Sequence, residues 1–281
     1  MQMAYSLNIR GCLKTWSEPQ VMGIVNLTPD SFFGGSRVRG VRAVLKRTEK
    51  MLEEGMEILD IGAMTSRPGA KLISEEDEWA RLEKPLKAIV KQFPELLVSV
   101  DTFRSEVAER CVEAGAGIIN DISGGSFDPK MFATVGRLQV PYILMHLSSP
   151  LQAWEKSGAR PEKPAELSLI PYFSEKILQA RAAGIHDIIL DPGFGFDKTL
   201  EQNYAVLNHL RDLSIFDMPV LAGLSRKSML YKPLGTTPEG ALNATTAVNM
   251  VALLNGAAIL RVHDVKEAVE CVKIYRQLWT L

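Results

Sequence analysis

Eight short aliphatic runs, each followed by a stretch long enough for a helix, limit what this chain can fold into. They are Val21–Leu27, Ile58–Gly62, Leu97–Asp101, Ile118–Ile122, Tyr142–His146, Ile188–Asp191, Val220–Leu224 and Ala258–His263. Between them lie helical patterns, among them Glu75–Gln92, Arg104–Ala114, Leu167–Ala183, Leu200–Leu210 and Pro238–Leu254. That alternation indicates βα units around a parallel sheet. Ser74 ahead of three acids, and Thr237 ahead of Pro238 and Glu239, supply helix-start chemistry. Eight such pairs in about 250 residues match a (β/α)8 barrel, whereas a doubly wound sheet needs fewer strands and a glycine fingerprint after the first. No GxGxxG occurs. The expected fold is therefore α/β, a (β/α)8 TIM barrel over residues 21–281, with residues 1–20 as a short N-terminal cap across the barrel bottom.

Charge and cysteine usage exclude several function classes. The 281 residues hold 32 Lys+Arg against 33 Asp+Glu, a formal charge of −1, so no general basic field exists to grip a nucleic-acid backbone. Cys12, Cys111 and Cys271 are odd in number and far apart, which argues against a disulfide framework or a thiolate zinc site. Each reads as a reduced, buried small hydrophobe. Neither a secretory h-region nor a bilayer-spanning stretch is visible, and even the least polar segment, Ala241–Leu260, carries Asn243, Thr245, Thr246, Asn249 and Asn255. A cytoplasmic protein without membrane or nucleic-acid partners is expected.

The strand ends carry the chemistry. Most runs finish on a polar residue: Asn26, Asp60, Asp101, Asn120 with Asp121, His146, Asp191, Ser225 with Arg226 and Lys227, and Arg261 with His263. A parallel barrel gathers the carboxyl ends of its strands at one rim, so these residues should meet around a single mouth. Any one of them could instead cap a helix or bond a loop; eight coincident cases weaken that explanation. Asp101, Asn120 and Asp191 each follow apolar residues and need partners. A flat heterocycle with several N–H donors would supply them, since a carboxylate faces two adjacent N–H groups in a fork. Arg67, Lys227, Arg261 and His263 place cations at the same rim and imply an anion, helped by a helix start after His263. The alternative for Arg261 is pairing with Asp60 or Asp101. Two loops, Asn26–Ser36 with Phe32 and Phe33, and Ala63–Ala70 with Arg67, Pro68 and Gly69, read as mobile lids.

These residues resemble the dihydropteroate synthase family from about Val21 to the carboxyl terminus. The segments that carry the resemblance are Asn26–Phe32, Ser66-Arg67-Pro68-Gly69-Ala70, Asp101-Thr102, Asn120-Asp121, Asp191-Pro192-Gly193-Phe194-Gly195-Phe196, Ser225-Arg226-Lys227-Ser228 and Arg261-Val262-His263-Asp264. The second loop departs from the family's Gly-Glu-Ser-Thr pattern, since Ala63-Met64-Thr65-Ser66 lacks the acid. The resemblance implies condensation of 6-hydroxymethyl-7,8-dihydropterin diphosphate with 4-aminobenzoate, giving 7,8-dihydropteroate and diphosphate, by a homodimeric enzyme that uses Mg2+. It assigns Asp101, Asn120, Asp191 and Lys227 to the pterin, with Met145 as an apolar wall. Asn26, Arg261 and His263 fall to the diphosphate, Asn26 also approaching Mg2+. Phe32, Ser66, Arg67, Pro68, Phe194 and Ser225 fall to the aminobenzoate, and Asp101, Lys227, Arg261 and His263 to catalysis.

An aromatic amine is already a nucleophile, so the step to catalyse is ionisation of the leaving group. Arg261, His263 and Mg2+ would stabilise charge on the diphosphate, and Asp101 would favour the cation left on the pterin methylene, in a dissociative substitution. A methyltetrahydrofolate-dependent corrinoid methyltransferase resembles this barrel but has no use for a diphosphate site. A noncatalytic pterin-binding protein need not retain two lids. An aldolase would use Lys227 as a Schiff-base lysine with its pKa lowered by Arg226.

Overall fold

Side-chain parity along the strands builds the architecture, seen in a computed structural model that describes residues 4–27, 40–64, 72–147, 149–150 and 169–278. A hairpin of β1 (Tyr5–Ile9) and β2 (Cys12–Trp16) precedes eight parallel strands: β3 (Gln20–Asn26), β4 (Ile58–Gly62), β5 (Leu97–Asp101), β6 (Ile118–Asp121), β7 (Tyr142–Met145), β8 (Ile188–Asp191), β9 (Leu221–Ala222) and β10 (Ile259–Val262). They lie in the order β8-β7-β6-β5-β4-β3-β10-β9, and a parallel bridge between Leu190 and Val220 closes the ring. Helices α1 (Val41–Glu53), α2 (Glu75–Gln92), α3 (Ser105–Glu113), α4 (Met131–Leu138), α5 (Leu169–Ala182), α6 (Leu200–Asn208), α7 (Ser228–Tyr231), α8 (Leu242–Leu254) and α9 (Val265–Gln277) intervene.

Because successive side chains alternate between the two faces of a strand, each run feeds two environments. Leu59, Ile61, Val98, Val100, Ile119, Leu144, Leu190, Leu260 and Val262 face outward and join the helices in the main core. Met22, Ile58, Ile118, Ile143, Ile189, Leu221 and Ile259 face inward and fill the lower barrel. Leu7 and Ile9 of the hairpin pack into that same layer, so the amino-terminal segment plugs the barrel bottom. Its two-residue turn has positive φ at Arg10 (53°) and Gly11 (82°), the backbone twist that tight hairpins need. Two residues further along the same inward faces come Asp60, Asn120, Met145, Asp191 and Arg261. Parity alone therefore lifts the polar set above an apolar floor.

Local signals fix several boundaries. Ser74 caps α2 by accepting from the Asp77 N–H at 3.1 Å, with four acids in the first turn. Thr199 and Gln202 form a reciprocal capping box on α6. At Thr237 the structure differs from expectation: a 3₁₀ turn, Glu239–Ala241, comes first and the α-helix begins at Leu242. The cysteines are all free, but Cys12 is exposed on the hairpin and only Cys111 and Cys271 are buried. No described helix is long and apolar enough to cross a membrane.

Candidate active site

Asp60 is the hub of the inward polar layer. Its side chain is fully buried, and its Oδ2 accepts from Arg261 Nε at 2.7 Å and Asn120 Nδ2 at 3.1 Å, with Arg261 Nη2 also in ion-pair range at 2.6 Å. Arg261 Nη2 also reaches Asp101 Oδ2 at 3.1 Å. Asp60 Oδ1 is buried and has no hydrogen-bond partner among the described residues, so one strong acceptor at the centre of the mouth stays unsatisfied. Burial raises the Asp101 pKa to about 7 against the pull of Arg261, with Asp60, Glu78 and Asp121 pushing the same way as burial. Arg261 thus spends two nitrogens on carboxylates. Its Nη1 makes no hydrogen bond with a described residue, so one edge of the guanidinium remains for an anion.

The other wall forms at the ends of β7 and β8. Asp191 is buried, and its Oδ1 accepts the Gly193 N–H at 2.8 Å. Lys227 donates to Phe194 O, and its Nζ lies 4.4 Å from the centre of the Phe196 ring. Burial, then Arg261, lowers the Lys227 pKa to about 8, with Asp191 and Asp101 opposing. Met145 clusters with Phe103, Ile122 and Leu147, and Phe196 packs against that group. Phe194 does not come to the mouth: its ring is completely buried in the main core, so it cannot touch an amine there. Positive φ at Gly193 (69°) and Gly195 (78°) turns the chain so that residue 194 points inward to the core, leaving Phe196 as the ring beside the ligand-facing groups. The pattern Gly-Phe-Gly-Phe offered two phenylalanines, and only the turn geometry separates them.

At β10, His263 Nδ1 lies 3.0 Å from Ser225 Oγ, which also accepts the His263 backbone N–H at 3.2 Å. The hydroxyl and Nδ1 thus face each other, and the tautomer of the ring decides which of them donates. Burial, then Arg261, lowers the His263 pKa to about 4, so the imidazole is neutral near pH 7. Ser225 is buried, with its hydroxyl against His263. Asn26 ends β3 half-buried, and its carboxamide makes no hydrogen bond with a described residue. Asp121, expected beside Asn120 at the ligand, faces out of the barrel and accepts from Ser123, Gly125 and Tyr142. Arg226 forms a two-pronged pair with Asp264 at 2.7 and 2.8 Å and is not among the groups that shift Lys227. The mechanism by which Arg226 would activate a Schiff-base lysine is absent. Phe32, Ser66, Arg67 and Pro68 lie outside the described residues.

Asp60, one of the polar strand ends, was open as a partner of Arg261 but had no role at a ligand, and Lys198 was not among the candidate residues. For Asp60 the signal was present: two positions after Ile58, it shares the inward face. Lys198 had none, because its side chain folds back into its own loop.

The whole barrel has relatives. A model of the family described as pterin binding enzyme matches residues 22–263. The dihydropteroate synthase of Escherichia coli K12 is 38% identical over 260 residues, covering 92% of this chain and 91% of that protein. The folic acid synthesis protein fol1 of Pneumocystis carinii is 41% identical over 92% of this chain, which spans only 36% of that longer protein. The crystal structure of the Yersinia pestis dihydropteroate synthase with a sulfonamide drug superposes with a TM-score of 0.92 at 36% identity, covering 99% of this chain and all of that one. The Xanthomonas albilineans dihydropteroate synthase with 4-aminobenzoic acid gives 0.88 at 36% identity, with the same coverage.

Proposed function

This chain belongs to the pterin-binding enzymes and, within them, to the dihydropteroate synthases, transferases of folate synthesis; from that premise we propose which of its groups carry out the reaction. The reaction joins 6-hydroxymethyl-7,8-dihydropterin diphosphate to 4-aminobenzoate, forming 7,8-dihydropteroate and releasing diphosphate. The observation that carries the assignment is the two-sided mouth. Carboxylates and an amide with open acceptor positions stand over an apolar floor, and Arg261, His263 and Asn26 share the adjoining rim. Asp191 and Asn120 read the N–H edge of the pterin, Lys227 its acceptors, and Met145 with Phe196 its face. Arg261 and His263 take the diphosphate.

The carbon–oxygen bond to diphosphate breaks first, its electron pair staying on the leaving oxygen. Arg261 Nη1 and the His263 ring stabilise that charge, while the carboxylate of Asp101 favours the cation on the pterin methylene. The amine nitrogen then bonds to that carbon and gives up one proton, which the departing diphosphate can take. Mg2+ fits the rim chemically, because the carboxamide oxygen of Asn26, which has no hydrogen-bond partner among the described residues, is a hard donor of the kind that holds this ion together with water and substrate phosphate. When bound, it neutralises charge on the leaving group. The reading includes a cytoplasmic, reducing location, in keeping with three free cysteines, and a homodimer, for which exposed Tyr204 and Val251 on α6 and α8 offer apolar surface.

Asp101 gives this reading a pH signature. Because its folded pKa of about 7 lies above the ordinary carboxylate value, its contribution to stability is full at pH 4 and lost as pH rises through 7. Catalysis runs the opposite way, since only the ionised form favours a cation. Turnover should therefore climb through about pH 7 while the unfolding temperature falls, and Asp101→Asn should flatten both profiles. Parallel profiles in the wild type and Asp101→Asn proteins would remove Asp101 from the mechanism.

The aminobenzoate site is assigned to the two loops bearing Phe32, Ser66, Arg67 and Pro68. If diphosphate and Mg2+ at Asn26 order the first of these, the amine binds second, because the free enzyme would have to meet the ordering entropy from one weak contact. Titration of 4-aminobenzoate should show tight binding only with Mg2+ and diphosphate present. Sulfonamides should share that dependence. Equal affinity in both conditions means a preformed pocket and ends the ordering argument.

A further inference from the structure

Lys198 is a buried cation that the reaction as described does not use. Its ammonium lies 3.0 Å from Gly193 O, 3.2 Å from Phe196 O and 3.0 Å from His146 Nδ1, with His146 O at 3.5 Å. Among the described residues no carboxylate lies within ion-pair distance of it, so its partners are carbonyl dipoles and a neutral ring. Those partners come from two places, the end of β7 and the loop after β8. The cage is tight: a Cβ on Gly193 would sit 2.3 Å from His146 O and 3.2 Å from Lys198 Nζ. Lys227 closes the loop from the other side through Phe194 O and the Phe196 ring. Three carbonyls of one six-residue turn thus point at two lysines.

We infer that Lys198 is a positioning residue for the pterin pocket, its ammonium gathering the end of β7 and the loop after β8 so that Asp191 and Phe196 face the ring. The inference rests on the assignment of Asp191 and Phe196 to the pterin. Gly193 is the mechanical link: its N–H is held by Asp191 Oδ1 and its carbonyl by Lys198, so the ammonium fixes the peptide that orients the carboxylate. Without the cation, the carbonyls of Gly193 and Phe196 would lose a charge-assisted donor and turn toward water. Electrostatics points the same way. Burial raises the Asp191 pKa, and Lys198 is among the cations, with Lys227 and Arg261, that oppose it. Burial also lowers the Lys198 pKa to about 7, with Lys227 adding to that and Asp191 and Asp197 opposing, and the Lys198 charge in turn helps keep His146 neutral.

Calorimetry on intact Lys198→Met, Lys198→Arg and Asp191→Ala proteins tests this, with 6-hydroxymethylpterin and inorganic diphosphate titrated separately. Lys198→Met should weaken the pterin by roughly tenfold or more and leave diphosphate affinity unchanged, a split that general loosening of the fold would not produce. Lys198→Arg retains the charge and serves if Lys198→Met does not fold. Its planar fork cannot converge several donors on one point, so pterin affinity should still fall several-fold. Unchanged pterin affinity in the folded Lys198 proteins, with Asp191→Ala weakened, overturns the positioning role and leaves the pterin assignment standing. Equal losses for both ligands, following the unfolding temperature, also overturn it. Unchanged affinity in Asp191→Ala would remove the pocket assignment itself, and the role of Lys198 with it.

Discussion

Replacing Arg261 with Ala should destabilise the fold by about 3–5 kcal/mol as well as stop turnover, because it leaves two carboxylates facing each other without their cation. Asp60 is fully buried, Asp101 is 16% exposed and the Arg261 side chain 19%, so water cannot easily replace the guanidinium. Among the described residues, Asn120 alone would remain on Asp60 Oδ2, and Oδ1 already lacks a hydrogen-bond partner. Asp101, whose pKa burial already raises to about 7, should then take up a proton more readily, which ties the damage to pH. Groups whose folded pKa is raised stabilise at low pH and cease to do so as pH rises through that value. The gap in unfolding temperature between wild type and Arg261→Ala should therefore be wide at pH 8 and narrow at pH 5. Scanning calorimetry at both values checks it. A variant that loses turnover but melts like the wild type at pH 8 would make Arg261 a ligand contact only, with no part in holding the layer together.

Loss of Asp191 should be nearly as damaging, but to binding instead of folding. The carboxylate keeps Oδ1 on the Gly193 N–H and has Oδ2 for the pterin, so a charge-assisted contact of about 1.5–3 kcal/mol is removed by Asp191→Ala, roughly a tenfold to hundredfold loss of affinity. Asp191→Asn is the sharper probe. It is isosteric and can still accept from Gly193, yet it turns a donor toward the N–H groups of the ring. Both variants should bind pterin poorly while unfolding close to the wild-type temperature. Calorimetry showing unchanged pterin diphosphate affinity in folded Asp191→Ala would end the assignment.

Much of this was legible in the order of residues, for a physical reason. Strand parity and the convergence of parallel strand ends are properties of the backbone, so Asn120, Asp191 and Arg261 could be placed at one mouth without coordinates. What the sequence could not show was direction after a strand ends. Phe194 enters the core and Phe196 does not; Ser225 turns to His263. Each is decided by turn geometry or by a partner far away in sequence. Ion pairing was equally hidden, since Asp60 and Arg261 are separated by most of the chain and either could have met another charge first. Lys198 shows the limit: a lysine at a helix start ordinarily points to water, and only the carbonyls of its own loop reveal otherwise.

The central claim is that the mouth has two halves, one reading a ring and the other an anion. Paired titrations of 6-hydroxymethylpterin and its diphosphate into His263→Ala and Asp191→Ala test it most directly. The division predicts that His263→Ala weakens only the diphosphate ester, with the plain pterin bound as in the wild type, while Asp191→Ala weakens both ligands by the same factor. Equal loss of both ligands in His263→Ala would place that histidine in the ring pocket or the framework, and the division would not stand.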